Sequence, residues 1–363
     1  MGIWRFLGGK VWSNGDLVQN NSIEVNMVDE DDKNIYLPET SIVLPGLVDF
    51  HCHMWAPRAP IGITDREYLS SGVVACADAG TFGYERWEAA NQYWQSSRLT
   101  VRSWLSVLPE GLTIHPNYSP TPPDNISLER ILEVGSSATE SLLGLKIRLG
   151  QVDAKTDRSF LKMAREAADR LNLRIMVHLT GTDLDIEEVV QYFNKGDILT
   201  HPFQGKQGNI LNKCGKVRRE FIEAIERGIL LDVGHGGNHF TWRVFLKCLE
   251  EGIKPHTIST DLTRNTWGKS PVYNLNFILS KMLAGGLSMR EILEAMLITA
   301  PGIMGIDIST LNNLVVLQSD FSTTSFPDVD GEIITGELVY KNSFIISQGN
   351  LIKGGDELSL KNI

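Results

Sequence analysis

The sequence predicts an α/β protein: a (β/α)8 TIM barrel with a small β-sandwich-like domain built from both termini. Three observations lead there. From residue 46 onward, eight short apolar runs follow one another. The segments between several of them carry apolar residues at a 3.6-residue period, and the runs recur about every 30 residues, the length of one βα unit. The outer segments contain short strand-like runs separated by Asn, Gly and Asp turns.

The eight runs are 47–50, 72–76, 101–105, 143–147, 173–177, 198–200, 229–233 and 257–260. Each is continuous, as expected of parallel strands buried on both faces, and eight in series are not confused with buried helix. Phe160, Ala164, Ala167, Ala168 and Leu171 form one helical stripe between them. Val217, Phe221, Ala224 and Ile225 form another, closed by Gly228. The barrel is assigned to 46–308, which is 263 residues, close to the roughly 250 typical of the fold. Residues 1–45 and 309–363 each hold strand-like pieces too small for a core of their own, so one composite β-domain is expected.

With 34 basic against 44 acidic residues the net charge is −10 and the sequence pI about 5.4, which argues against nucleic-acid binding. No apolar run approaches the roughly 18 residues needed to span a bilayer, and no signal-peptide core follows Met1, so neither a membrane partner nor export is expected. Cys52, Cys76, Cys214 and Cys248 lie far apart without CxxC spacing, so a reducing, cytoplasmic setting is expected. The expected partner is a small-molecule substrate, and the expected assembly a homo-oligomer.

In a (β/α)8 barrel the chemistry sits at the C-terminal ends of the strands. The first strand ends in Pro45-Gly46-Leu47-Val48-Asp49-Phe50-His51-Cys52-His53. Residues i and i+2 of a strand share a face, so His51 and His53 both point inward, and two converging imidazoles suit a divalent cation such as zinc. The fourth strand carries Lys146, the fifth ends at His178, the sixth at His201 and the eighth at Asp261. Any one of these alone is more simply a buried or solvent-reaching side chain; six at strand ends point to a metal centre.

These segments, together with Asp232-Val233-Gly234-His235-Gly236, Ser270-Pro271-Val272 and the run 297–306, resemble the amidohydrolase superfamily. Within it, the resemblance is to the deacetylase group of metallohydrolases, often termed dihydroorotase-like. It implies two divalent ions, usually zinc. His51, His53 and Asp261 would hold one, His178 and His201 the other, and Lys146, carboxylated by CO2, would bridge them. It also implies hydrolysis of an amide or ester by a metal-bridging hydroxide, with Asp261 as the catalytic proton carrier. Cyclic-amide hydrolysis of the dihydroorotase kind, mononuclear deamination and a catalytically inactive binding barrel are the alternatives. Lys146 counts against the second, and an intact ligand set against the third.

Substrate contacts are sought in the βα-loops. The resemblance favours His235, with Asn238 beside it in a glycine-rich loop, whereas His239 reads as structural and His256 falls at the stability face. Arg148, two residues beyond Lys146, turns inward and is suited equally to clamping a carboxylate or to pairing with a buried acid. Position 55 is Trp where dihydroorotases usually carry a carboxylate-binding arginine. Trp55 with Phe203 therefore suggests an apolar wall and an acyl or aromatic substrate group. The proline-rich loop 108–127 reads as a stiff lid, with His115 and Tyr118 as surface residues in it.

Overall fold

Seven parallel strands pair in sequence order: Leu47–Cys52, Val73–Gly83, Thr100–Ser106, Leu142–Arg148, Arg174–His178, Ile198–Thr200 and Leu230–Asp232. They belong to a computed structural model that describes residues 2–113, 119–138 and 140–354. The eighth run closes the circle without a continuous ladder. Thr257 bridges Asp232 and Leu262 bridges Cys52, while Val233 N donates to Thr257 O (3.0 Å) and Asp261 N to His51 O (2.7 Å). The reason is local: Thr257 and Ser259 donate to Asp232 Oδ1 (2.8 and 2.6 Å) and Thr260 to Asp49 Oδ2 (2.5 Å). Asp261 then turns into the left-handed region (φ 49°), which ends the extended backbone.

The helices pack outside the strands. Ala154–Leu171 begins at Asp153, whose carboxylate accepts from Thr156 N (2.7 Å), and ends at Asn172, which takes the left-handed cap (φ 52°). It buries Phe160, Leu161, Ala164, Ala167 and Ala168, and the alanines let its backbone approach the sheet closely. Arg219–Glu226 buries Phe221 and Ala224, and Gly228 makes the exit turn at φ 100°. None of the described helices is long and apolar enough to cross a membrane.

Both terminal segments enter one six-stranded sheet, in the order Asn350–Gly354, Val339–Ser347, Leu314–Asp320, Ser41–Leu44, Lys10–Ser13 and Asp16–Gln19. Its central strands are buried on both faces, and alternation divides their side chains between two cores. Ile42, Leu44, Val315, Leu317 and Ile345 join the barrel core. Val43, Leu314, Val316, Phe344 and Ile346 pack instead against Trp4, Phe6, Val25, Met27 and Ile35 of a three-stranded sheet. The run at Ile333, grouped with the terminal β-domain by sequence, does not join this sheet. Ile333–Gly336 pairs with Thr324–Pro327, and Trp242 pins that hairpin to the barrel through Nε1 to Phe326 O (2.8 Å) and its own N–H to Asp328 Oδ2 (2.9 Å).

Candidate metal centre

The first strand places His51 and His53 on its inner face, where both Nε2 atoms approach Asp261 Oδ1, at 3.4 and 3.0 Å. Lys146 Nζ, from the fourth strand, lies 3.4 Å from His51 Nε2. His178 and His201, from the fifth and sixth strand ends, stack edge to face with ring centroids 4.4 Å apart, and His201 lies 5.0 Å from the His51 ring. Two groups of three potential ligand atoms result, each within 4.8 Å of one another: His51, His53 and Asp261, and His178, His201 and His239.

Hydrogen bonds on the far side of the His51 and His201 rings set their tautomers. His51 Nδ1 is 2.9 Å from both Asp232 Oδ2 and Thr200 Oγ1. Thr200 Oγ1 itself donates to Asp232 Oδ2 (2.7 Å), so the imidazole is the donor at Nδ1 and Nε2 keeps its lone pair. His53 Nδ1 meets Thr81 Oγ1 at 2.8 Å. His201 Nδ1 lies 2.6 Å from Gly234 O, a carbonyl that only accepts, so His201 Nε2 is also bare. That nitrogen is buried and has no hydrogen-bond partner among the described residues. Such an atom normally carries a desolvation penalty of about 1–3 kcal/mol; together with the neutral imidazoles, the carboxylate and the lysine around it, it fits a bound transition metal.

The backbone is strained at the same place. His201 and Asp261 both adopt positive φ, 64° and 49°, a conformation of order 1–3 kcal/mol uphill for non-glycine residues that concentrates at functional sites. Gly236 (φ 53°) makes room for the carboxylate, since a Cβ there would lie 2.4 Å from Asp261 Oδ2.

Burial dominates the electrostatics. It pushes Lys146 down to about 7, against the opposing pull of Asp261 and Asp232. It also holds His51, His178 and His201 well below the usual imidazole range and His239 at about 4, so these rings are neutral near pH 7. Burial would push Asp261 up as well. The His53 hydrogen bond and the neighbouring imidazoles outweigh it, and the carboxylate sits below its ordinary range.

His51, His53, Lys146, His178, His239 and Asp261 line one pocket whose walls also include Arg148, Ser106, Ala79, Leu108 and Leu112.

No protein-family model matches the chain. A deacetylase of Brucella anthropi is 30% identical over 296 residues, covering 80% of this chain and 73% of its own length. A deacetylase of Agrobacterium fabrum is also 30% identical over 298 residues, covering 80% and 72%. Among solved structures, a dihydroorotase superposes with TM-score 0.81 at 22% identity, over 98% of this chain and 99% of its own. An adenine deaminase superposes with TM-score 0.81 at 20% identity, over 97% and 99%. The chain belongs to the amidohydrolase superfamily. It is a hydrolase on the TIM-like barrel of that superfamily.

In this amidohydrolase several loop residues lie elsewhere than the sequence suggests. His235 is fully buried, stacked on Phe240 (centroids 4.7 Å apart) with Nε2 2.7 Å from Lys281 Nζ, and does not line the cavity. Trp55 packs edge-on against Tyr93 (5.2 Å) and also lies away from the cavity walls, because its carbonyl is anchored by Trp94 Nε1 (3.0 Å). Phe203 is core, against Phe240 and Phe245. Asn238 is exposed and is not among the lining residues. The apolar wall comes instead from Leu108 and Leu112, in the loop after the third strand. His115 and Tyr118 of that loop fall outside the described residues. His256 has a structural contact, accepting from Leu231 N (3.0 Å).

His239 is the largest departure. Read as structural from sequence, it lines the cavity, joins His178 and His201, and places Nε2 3.6 Å from Asp261 Oδ2. Asp232, behind the His51 ring, is a contact of the site that strand-end reasoning about ligands does not reach; the sequence signal for it is its place at the C-terminal end of the seventh apolar run, beside the hydroxyl-rich eighth.

Proposed function

We propose that this amidohydrolase is a binuclear metal-dependent hydrolase that cleaves an amide or ester bond in a small, anionic, acylated substrate. The observation that carries the reading is that His51, His53, Asp261, His178 and the buried Lys146 line one cavity, with the His201 ring 4.4 Å from that of His178. His51, His53 and Asp261 would hold one ion and His178 and His201 the other. Lys146 is the bridging candidate: its Nζ lies beside His51 Nε2, and its charge acts on His178 and His201 too. Zinc suits the nitrogen-rich donor set.

A bridging ligand between two cations has to be anionic, and an ammonium is not. With Lys146 pushed down to about 7, a large fraction is free amine at neutral pH. Nζ then bonds to the carbon of CO2 and releases a proton, leaving a carbamate. Two bound divalent ions supply an acidified water and a polarised substrate carbonyl. Asp261 takes a proton at its carboxylate and returns it to the leaving nitrogen or oxygen. Arg148, on the cavity wall, binds the substrate's carboxylate, and Leu108 and Leu112 take its acyl group and exclude water. Residues 46–308 make up the catalytic barrel, and the enzyme works in the cytoplasm, in keeping with four unpaired cysteines.

The test is metal analysis joined to a substrate screen. Purified protein is expected to hold close to two transition-metal ions per chain and to hydrolyse members of a panel of acylated amino and hydroxy acids. Lys146→Ala is expected to lose that activity and to regain part of it with a short carboxylic acid. A single ion beside an unmodified Lys146 would overturn the binuclear reading.

A further inference from the structure

We infer that His239 is a third imidazole ligand of the second ion, beside His178 and His201; the inference rests on the binuclear reading above. His239 reaches the cavity from the loop after the seventh strand, and its ring lies 4.3 Å from that of His201 and 4.8 Å from that of His178. One ligand atom from each of the three rings falls within 4.8 Å of the other two.

Hydrogen bonding fixes which nitrogen faces the group. His239 Nδ1 lies 3.0 Å from Thr180 Oγ1. The Thr180 hydroxyl donates to Leu179 O at 2.7 Å, so toward His239 it accepts. The proton is therefore on Nδ1, and Nε2 carries the lone pair. That is the same state that Gly234 O imposes on His201. The bare Nε2 faces Asp261 Oδ2 across 3.6 Å. Two acceptors set opposite one another with no hydrogen between them call for a positive charge nearby, which a bound cation supplies. Gly234 (φ 45°) and Gly236 (φ 53°) let the loop turn closely enough to bring the ring in.

The test measures metal binding directly. Wild-type protein and His239→Ala are stripped, reloaded with zinc and titrated against a chromophoric chelator. Circular dichroism and a thermal melt check that each is folded. His239→Ala is expected to keep the first ion at wild-type affinity and to bind the second about tenfold or more weakly, since even indirect partners of a ligand are worth that much. His239→Asp, which restores a donor, is expected to recover most of the loss, whereas His239→Gln, similar in bulk but a poor ligand, is not. These two variants decide the matter if the alanine variant does not fold. Two ions bound as tightly in His239→Ala or His239→Gln as in wild type overturns the inference and leaves the binuclear reading standing. Wild-type protein that binds no second ion overturns both.

Discussion

His51 Nδ1 and Asp232 Oδ2 lie 2.9 Å apart in the barrel interior, where both side chains are fully enclosed. The contact joins the first strand to the seventh, and Asp232 is itself held by Thr200, Thr257 and Ser259. A carboxylate behind a ligating imidazole orients the ring, fixes its tautomer and makes Nε2 more basic. With His51 as the metal ligand proposed above, Asp232 would govern its metal affinity without facing the cavity.

Asp232→Asn tests that relationship. The amide retains one acceptor oxygen and puts an NH2 where the other carboxylate oxygen accepted hydrogen bonds. Zinc affinity is expected to fall about 10- to 100-fold, measured by competition with a chelator. Stability in urea is expected to fall by about 1–3 kcal/mol as buried donors lose their partner. Unchanged affinity would show that His51 keeps its tautomer without the carboxylate.

The buried lysine makes the stability of the metal-free protein depend on pH. Lys146 titrates at about 7 when folded, against 10.5 for the free side chain. Between these values the unfolded chain holds a proton that the folded chain has released, so stability rises with pH through this window. The destabilisation is complete below the folded value. In CO2-free buffer without metal, Lys146→Met is expected to melt higher than wild type at about pH 6, with the advantage shrinking toward about pH 10. Parallel curves would mean that Lys146 is not desolvated in solution.

Gly236→Ala separates the site from the fold. The added methyl would lie 2.4 Å from Asp261 Oδ2 at a positive φ, and the backbone term alone costs roughly 1–2 kcal/mol. Asp261 has to move, so metal content and turnover are expected to fall sharply while the protein remains folded by circular dichroism. Full metal loading with wild-type turnover would place the carboxylate outside the working site.

Much of the architecture was legible because it is local. Parallel strands covered on both faces read as continuous apolar runs, and the i, i+2 geometry of a strand puts His51 and His53 on one side whatever surrounds them. Lys146, His178, His201 and Asp261 could be placed at strand ends for the same reason. Loop residues had no such rule to guide them. His235 and His239 are four residues apart in one glycine-rich loop, yet one is enclosed against Lys281 and the other opens on the cavity. Trp55, two residues from His53, turned toward Tyr93 instead.

Residue order alone was enough for the barrel and the side chains at its inner strand ends, because each depends on periodicity within a few residues; that the eighth run closes the circle through isolated bridges and not a ladder was decided by its hydroxyl contacts to Asp232 and Asp49. The packed chain settled which loop histidine reaches the centre and which carboxylate stands behind His51. Those contacts join residues as far as 181 positions apart, and they exist only once closure of the barrel brings its first and seventh strands to either side of the eighth run.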